Sequence, residues 1–299
     1  MPKTINWEQY SPNGGGDQAV RELIRAIVGM HTSFSDGVWL WRGQSNGDYG
    51  LQPSMHSRVL AASGIANNEA SVAAATQQLI ERARRAKLDE LDGIRLPDLA
   101  LLAHLQHHGA ATPLLDVTVD PLVALWMVAF SAPDAPDTDD DKAGKTFGIR
   151  RPPDSARLES FDSREYRSIS ASMSDPIYWY QPPDVSERLR IQRGSFLVGA
   201  MTTDDGDRST LDFGKTAPTG WLEKRIAQIG NVGSPTKSDT DVIVFKVPKN
   251  AKSPLRRWLL DRAGLTPRTV YPTPWHRPFL DEFCAAHGRR SPLTDIDSP

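Results

Sequence analysis

"HLQHHGAATPLLDVTVDPLVALWMVAF", residues 104–130, sets the fold class because two kinds of pattern meet inside it. "TPLLDVT" (112–118) is short and β-rich and reads as a strand, with Asp116 and Thr118 on one face. "DPLVALWMVAF" (120–130) reads as a helix. Asp120 suits its cap and Pro121 its first turn.

Outward from this block, apolar spacing at Val20, Leu23, Ile24, Ile27 and Val28 predicts a helix over 18–30. Val38 to Trp41 reads as a strand. Asn67 or Asn68 can cap a long helix over 69–91, and a second helix is predicted over 96–108. Further strands are expected at 146–150, 175–180, 189–199 and 241–247. A helix over 253–264 closes on Gly264, and a last one spans 276–287. Helices and strands mingle without regular βα alternation, which predicts an α+β fold with a mixed sheet core and surrounding helices. The expected organisation is a flexible segment 1–17, one domain over 18–288 and a tail over 289–299.

The 299 residues can bury a sizeable core without covalent help. Lys and Arg number 35 against 37 Asp and Glu, a net charge of −2, which argues against a chiefly electrostatic nucleic-acid binder. The single cysteine, Cys284, excludes an internal disulfide and a multi-cysteine zinc site, and fits a reducing cytosol. No apolar run suits a signal peptide and none reaches the length of a membrane span. A cytoplasmic location is expected. "SAPDAPDTDDDKAGK" (131–145) reads as a solvated acidic loop without a functional part.

"VWLWRGQS" (38–45) ends a strand on Arg42, Gly43 and Gln44. Arg42 either pairs with a distant carboxylate or holds phosphate or a ribose-linked oxygen through its planar fork. Gly43 would let a ligand approach the backbone, while Gln44 and Ser45 add neutral donors. His104, His107 and His108 lack the acid of an HExxH pattern, so no metal is expected and hydrogen bonding or packing at a helix end is. Asp116 and Thr118 either cap the following helix or present polar groups to a cleft. In "ERLRIQRGSFLVGAM" (187–201), Gln192, Arg193 and Gly194 read as a turn or bulge between two strand halves. Gln192 then either faces a ligand or merely joins a hairpin. Arg42, Asp116, Thr118 and Gln192, each at a strand end, are expected to line one cleft.

Taken together, these segments resemble the FRG domain family, named for a Phe/Tyr-Arg-Gly motif. Here the motif is Trp41-Arg42-Gly43-Gln44, with tryptophan in the aromatic place. The second block is similar to Gln106 through Thr118 and continues into Pro121, Leu122, Ala124 and Leu125. The third matches Gln192, Gly194 and Phe196, and late elements match Phe245 to Pro248 and Gly264 to Pro272. The resemblance spans roughly residues 20–285.

The order of motifs also resembles that of the ADP-ribosyltransferases. That likeness implies an ADP-ribosyltransferase-like sheet core with NAD as cofactor, held by Arg42, Gly43, Gln44, Thr118 and Gln192. It implies transfer of ADP-ribose to a macromolecular acceptor, protein or nucleic acid. A toxin or anti-phage effector, with a cognate antitoxin or regulator, would suit such an activity. The third motif's glutamate is replaced by Gln192, and the nearest acid, Glu187, lies five residues upstream. Asp116 is the local substitute near the anomeric carbon, and His108 could serve as general base. The alternatives are a non-catalytic nucleotide- or protein-binding module, which the missing acid favours, and a nucleic-acid-processing toxin using Arg42, His107 and His108 near phosphate.

Overall fold

The computed structural model describes residues 7–33, 37–131, 137–202, 209–215, 217–218, 220–229, 240–272 and 277–293. The first half of the chain carries β1 (Gln9–Tyr10), α1 (Gly16–Ser33), β2 (Trp39–Gln44), α2 (Ser54–Ala61), α3 (Glu69–Arg85), β3 (Glu90–Leu91), β4 (Ile94–Arg95), α4 (Asp98–His107), β5 (Leu115–Thr118) and α5 (Pro121–Ala129). The second carries β6 (Gly144–Arg150), β7 (Arg157–Leu158), α6 (Tyr166–Ala171), β8 (Tyr178–Tyr180), α7 (Glu187–Ile191), β9 (Gly194–Val198), α8 (Trp221–Gln228), β10 (Val242–Val247), α9 (Lys249–Asp261), α10 (Pro267–Val270) and α11 (Pro278–Ala286). Among the described residues, eight strands form one mixed sheet in the order β1-β10-β6-β2-β5-β9-β8-β7. Helices surround it, so the α+β expectation holds.

Strand alternation sorts the core. Trp39 and Trp41 of β2 pack with Phe245 of β10 against Leu23 and Ile27 of α1, Trp126 of α5 and Leu255 of α9. Leu40 points the other way and joins Val117, Phe147, Ile149 and Leu197. A third cluster joins Val59, Leu79 and Leu102 of α2, α3 and α4 to Tyr180 and Phe196 of the sheet.

One seam in the sheet is weak. β2 pairs with β6 at all six of its residues, and β5 pairs with β9 at all four of its own. β2 and β5 pair with each other only at Trp41 and Thr118. Past that pair the two strands part, leaving two half-sheets joined at one rung.

Several local expectations change. The helix from Glu69 stops at Arg85 instead of running to 91, because Lys87 turns left-handed at φ 55° and the Leu88 N–H reaches back to the Ala83 carbonyl at 2.9 Å. The expected strand over 189–199 is half helix. Ser186 caps α7 by accepting from the Leu189 N–H, and the strand begins only at Gly194. The 175–180 strand covers only 178–180. The helices α2 and α6 have no counterpart in the sequence reading. Of the opening segment read as flexible, Gln9 and Tyr10 pair with β10. Of the segment read as a tail, Ser291 and Pro292 accept hydrogen bonds from the Arg58 guanidinium, as does His287. Residue 276, expected to start the last helix, lies outside the described residues, as do 1–6, 132–136 and 294–299.

The acidic loop is exposed at Asp137, Thr138, Asp141 and Lys142, as read, but it is also anchored. Lys252 is buried, and its ammonium donates to the carbonyls of Ser45 at 2.6 Å and Asp139 at 2.5 Å. Arg256 grips the Asp140 carboxylate and the Ala129 carbonyl. Residues 137–142 are thereby fastened to α9 beside the end of β2, because a buried ammonium needs oxygen partners and this loop supplies them.

Candidate functional site

The cleft lies where β2 and β5 part. Arg42 spans the gap, donating from Nη1 to the Asp116 carbonyl at 2.8 Å, with the Asp116 carboxylate 3.7 Å away. The side chain of Arg42 is about a fifth exposed (22%) while that of Asp116 is half exposed (54%), so the pair opens onto solvent through the cleft. Burial pulls the Arg42 guanidinium below its ordinary value and Asp116 opposes that pull. It stays a cation.

All four residues expected to share a cleft do so: Arg42, Asp116, Thr118 and Gln192 line one cavity of about 260 Å³, with Gly43 and Gln44. Their chemistry differs from the expectation in two cases. Thr118 neither caps α5 nor offers its proton to a ligand: it donates to the Gln192 carbonyl at 2.6 Å and accepts from the Asp120 N–H at 3.0 Å. Asp120 is the cap, accepting from the Leu122 N–H at 2.8 Å. Gln192 sits at the end of α7, not in a bulge, and its amide donates to the Val270 carbonyl at 2.9 Å. These bonds fasten β5 to the α7–β9 turn and to α10.

Gly43 also has a packing reason beside the one its motif implied. A Cβ there would lie 1.9 Å from the Ala124 carbonyl oxygen, so glycine is what lets α5 lie directly on β2. The Arg-Gly and Pro-Leu-x-Ala-Leu motifs are thus two sides of one contact.

His108 is not among the cleft residues. Its Nδ1 lies 2.8 Å from the Asp281 carboxylate, and it lines a second, adjacent cavity. His107 borders both cavities and pairs with the Ser186 hydroxyl at 2.5 Å. Burial, with Arg188 and the neighbouring histidines, lowers it to about 3, so it is neutral near pH 7. Glu187, the nearest acid to Gln192, also lines the second cavity and pairs with Arg190. Asp116 is therefore the carboxylate of the first.

Sequence reasoning missed several members of this site. Gln106 donates to Asp116 Oδ1 at 2.5 Å and accepts from Thr112. It stood in the second motif block but drew no role. Arg188 lies over the Tyr271 ring at 4.5 Å. Tyr271 belonged to the late matched element, which was its only signal. Arg289, stacked on Tyr49 at 5.1 Å, sat in what read as a tail.

Four polar atoms around the cleft are buried without a hydrogen-bond partner among the described residues: Arg42 Nε, Gln44 Oε1, Arg188 Nε and Ser195 Oγ. Buried polar groups are normally satisfied, so such a cluster at one cavity marks where a polar ligand would bond. Two cationic donors, a hydroxyl and an amide oxygen suit a phosphate- and ribose-bearing molecule. No group of three or more His, Cys, Asp or Glu side chains is placed to hold a metal among the described residues. No described helix is long and apolar enough to cross a membrane.

The site thus sits in an α+β sheet split beside an arginine-bearing strand, with α5 seated on Gly43. The FRG domain family model matches residues 37–138, from the approach to β2 to beyond α5. The third block, with Gln192, falls outside the matched stretch. Neither the curated proteins nor the solved structures return a match.

Proposed function

We propose that the cleft at the split binds NAD and that the protein transfers ADP-ribose from it to a macromolecular acceptor. The observation that carries this reading is Arg42, whose Nε is buried without a partner at the mouth of a cleft that also holds Asp116. A guanidinium can grip two oxygens of a phosphate or ribose at once. Gln44 and Ser195 supply further polar contacts. The order of the motif blocks along the chain supports the same reading.

In the transfer the nicotinamide–ribose C–N bond breaks and nicotinamide leaves with the electron pair. The acceptor's nucleophile bonds to the same carbon and loses its proton to a base. Positive charge grows at that carbon as the bond lengthens, and Asp116, held in place by Gln106, is the carboxylate available to stabilise it.

The test is to incubate the protein with NAD labelled in its adenylate half and with cell extract, following nicotinamide release and transfer of label. Asp116→Asn is expected to slow both by about 100-fold, the scale of losing one electrostatic stabiliser, while leaving NAD affinity nearly unchanged. If the wild-type protein releases no nicotinamide and labels nothing, the transferase reading is withdrawn.

A second reading, a nucleotide-binding module without chemistry, is favoured by Gln192, which stands where an acid would act and whose amide is already bonded to Val270. It predicts saturable NAD binding with no nicotinamide release. Nicotinamide release separates the two readings, and both are tested by Arg42→Lys, which keeps the charge but not the fork. That change is expected to weaken NAD binding by about 1.5–3 kcal/mol under either reading, with the melting temperature little changed. Unchanged binding would leave Arg42 as a structural residue and remove both readings. A toxin or anti-phage role, with a regulator that restrains it, accords with the transferase reading.

A further inference from the structure

Behind the wall formed by His107, Arg188 and Tyr271 lies the second cavity, of about 660 Å³, well within the size range of small-molecule sites. Leu91, Val185, Tyr271 and Pro272 give it apolar walls. At one side stands His104, only 3% exposed, whose Nδ1 has no hydrogen-bond partner among the described residues.

His104 can be read further. Burial first, then His108 and Arg277, pushes it down to about 4, so the ring is neutral near pH 7. A neutral imidazole carries one N–H and one lone pair. With the proton on the other nitrogen, toward the Val185 backbone, Nδ1 is the acceptor in a cavity with apolar walls. Whatever binds there gains most by presenting a donor to it.

That donor is a neutral one. Arg188, Arg190 and Arg277 line the cavity against Asp92, Asp184 and Glu187, so the lining offers an ammonium group no net attraction to offset its desolvation. A plain alcohol would leave the apolar walls uncovered. A flat heterocycle with an amino group on its edge satisfies both, since the walls take the ring and Nδ1 takes the amine. Arg188, its Nε buried without a partner and its guanidinium held over Tyr271, stands ready for an anion. The Asp184 carboxylate, exposed at the rim, can accept from ribose hydroxyls.

We propose that the second cavity binds a nucleoside monophosphate whose base carries an exocyclic amine, the amine donating to His104 Nδ1 and the phosphate meeting Arg188. This goes beyond the NAD reading of the first cleft and stands whether or not that cleft binds NAD. The same chemistry is offered by a separate mononucleotide and by the adenylate half of a dinucleotide reaching across the shared wall.

The experiment is a calorimetric titration of the full chain with AMP and with IMP, which differ at the base edge by an amine donor against a carbonyl acceptor. AMP is expected to bind at least about tenfold tighter, because the IMP oxygen would face a lone pair. His104→Phe should abolish that preference. Arg188→Gln, checked by an unchanged melting temperature, should weaken AMP about tenfold and leave adenosine unaffected. AMP that competes with NAD assigns the cavity to the adenylate half, whereas AMP that binds alongside NAD assigns it to a separate mononucleotide. Equal binding of AMP and IMP, or no saturable AMP binding, overturns the proposal. Absence of nicotinamide release would remove the transferase reading and leave the AMP result standing.

Discussion

Gly43→Ala is expected to lower the melting temperature by about 5 °C, the counterpart of about 3 kcal/mol in a chain of this size. The added methyl would sit 1.9 Å from the Ala124 carbonyl oxygen, and the next contacts are the Ala124 carbonyl carbon at 2.9 Å and Met127 Cβ at 3.0 Å. Two of these are backbone, so no rotamer change relieves them. α5 must move off β2, and with it Trp126, which shares its cluster with Trp41 and Phe245. The nature of the clash gives a control: adding Met127→Ala should not restore stability, because the nearest obstacle is a backbone oxygen. A glycine needed only for ligand approach would behave otherwise, keeping its melting temperature while losing ligand affinity. That outcome, read by thermal denaturation and NAD titration together, would return Gly43 to the role its motif implied.

Gly43 also shows what the sequence holds and what it conceals. The need for glycine after Arg42 is legible, because an apolar strand ending in Arg-Gly is unusual, but its partner Ala124 lies 81 positions away. Only the third dimension reveals that the two motifs touch. β5 and α5 were legible for local reasons, since Asp120 and Pro121 mark the boundary between two periodicities. The end of α3 was not. Lys87 adopts a left-handed turn that glycine usually signals, so nothing announced it. In α7, the Ser186 cap outweighed an alternation that read as a strand. The shared cleft of Arg42, Asp116, Thr118 and Gln192 was legible from strand ends. Which of their bonds serve the fold was not, because Thr118 and Gln192 spend theirs on the α7–β9 turn and on Val270. Lys252 lies outside every motif, yet it fixes the loop beside Ser45.

Acidification should destabilise the protein well before its carboxylates titrate. His56 is fully buried, with Nδ1 2.7 Å from the Thr210 hydroxyl and no partner at Nε2 among the described residues, and burial lowers it to about 3. His104 lies at about 4 for the same leading cause. In the unfolded chain both return to about 6.5. Between those limits the unfolded state binds two protons that the folded state refuses, so stability rises with pH across this window and is fully present only above about 6.5. The slope approaches about 1.4 kcal/mol per pH unit for each histidine, or about 3 kcal/mol per unit for the pair. His107 adds in the same direction, moderated because it borders the cleft and is only half-buried. Glu69, raised chiefly by burial, opposes the trend between its unfolded value and its raised folded one, while Asp140 and Asp162, lowered chiefly by hydrogen bonds from Arg256 and Arg164, reinforce it at lower pH. Urea unfolding from pH 7.5 down to 4.5 measures the slope directly. His56→Leu should remove about 1.4 kcal/mol per pH unit from it whatever the variant does to absolute stability, because the slope counts protons and not contacts. A stability curve that stays flat from pH 7 to 5 would mean that the buried histidines take up protons in the fold as readily as in the unfolded chain, and so are charged at the lower end. Nδ1 of His104 would then be a donor, and the second cavity would select an anion in place of an amine.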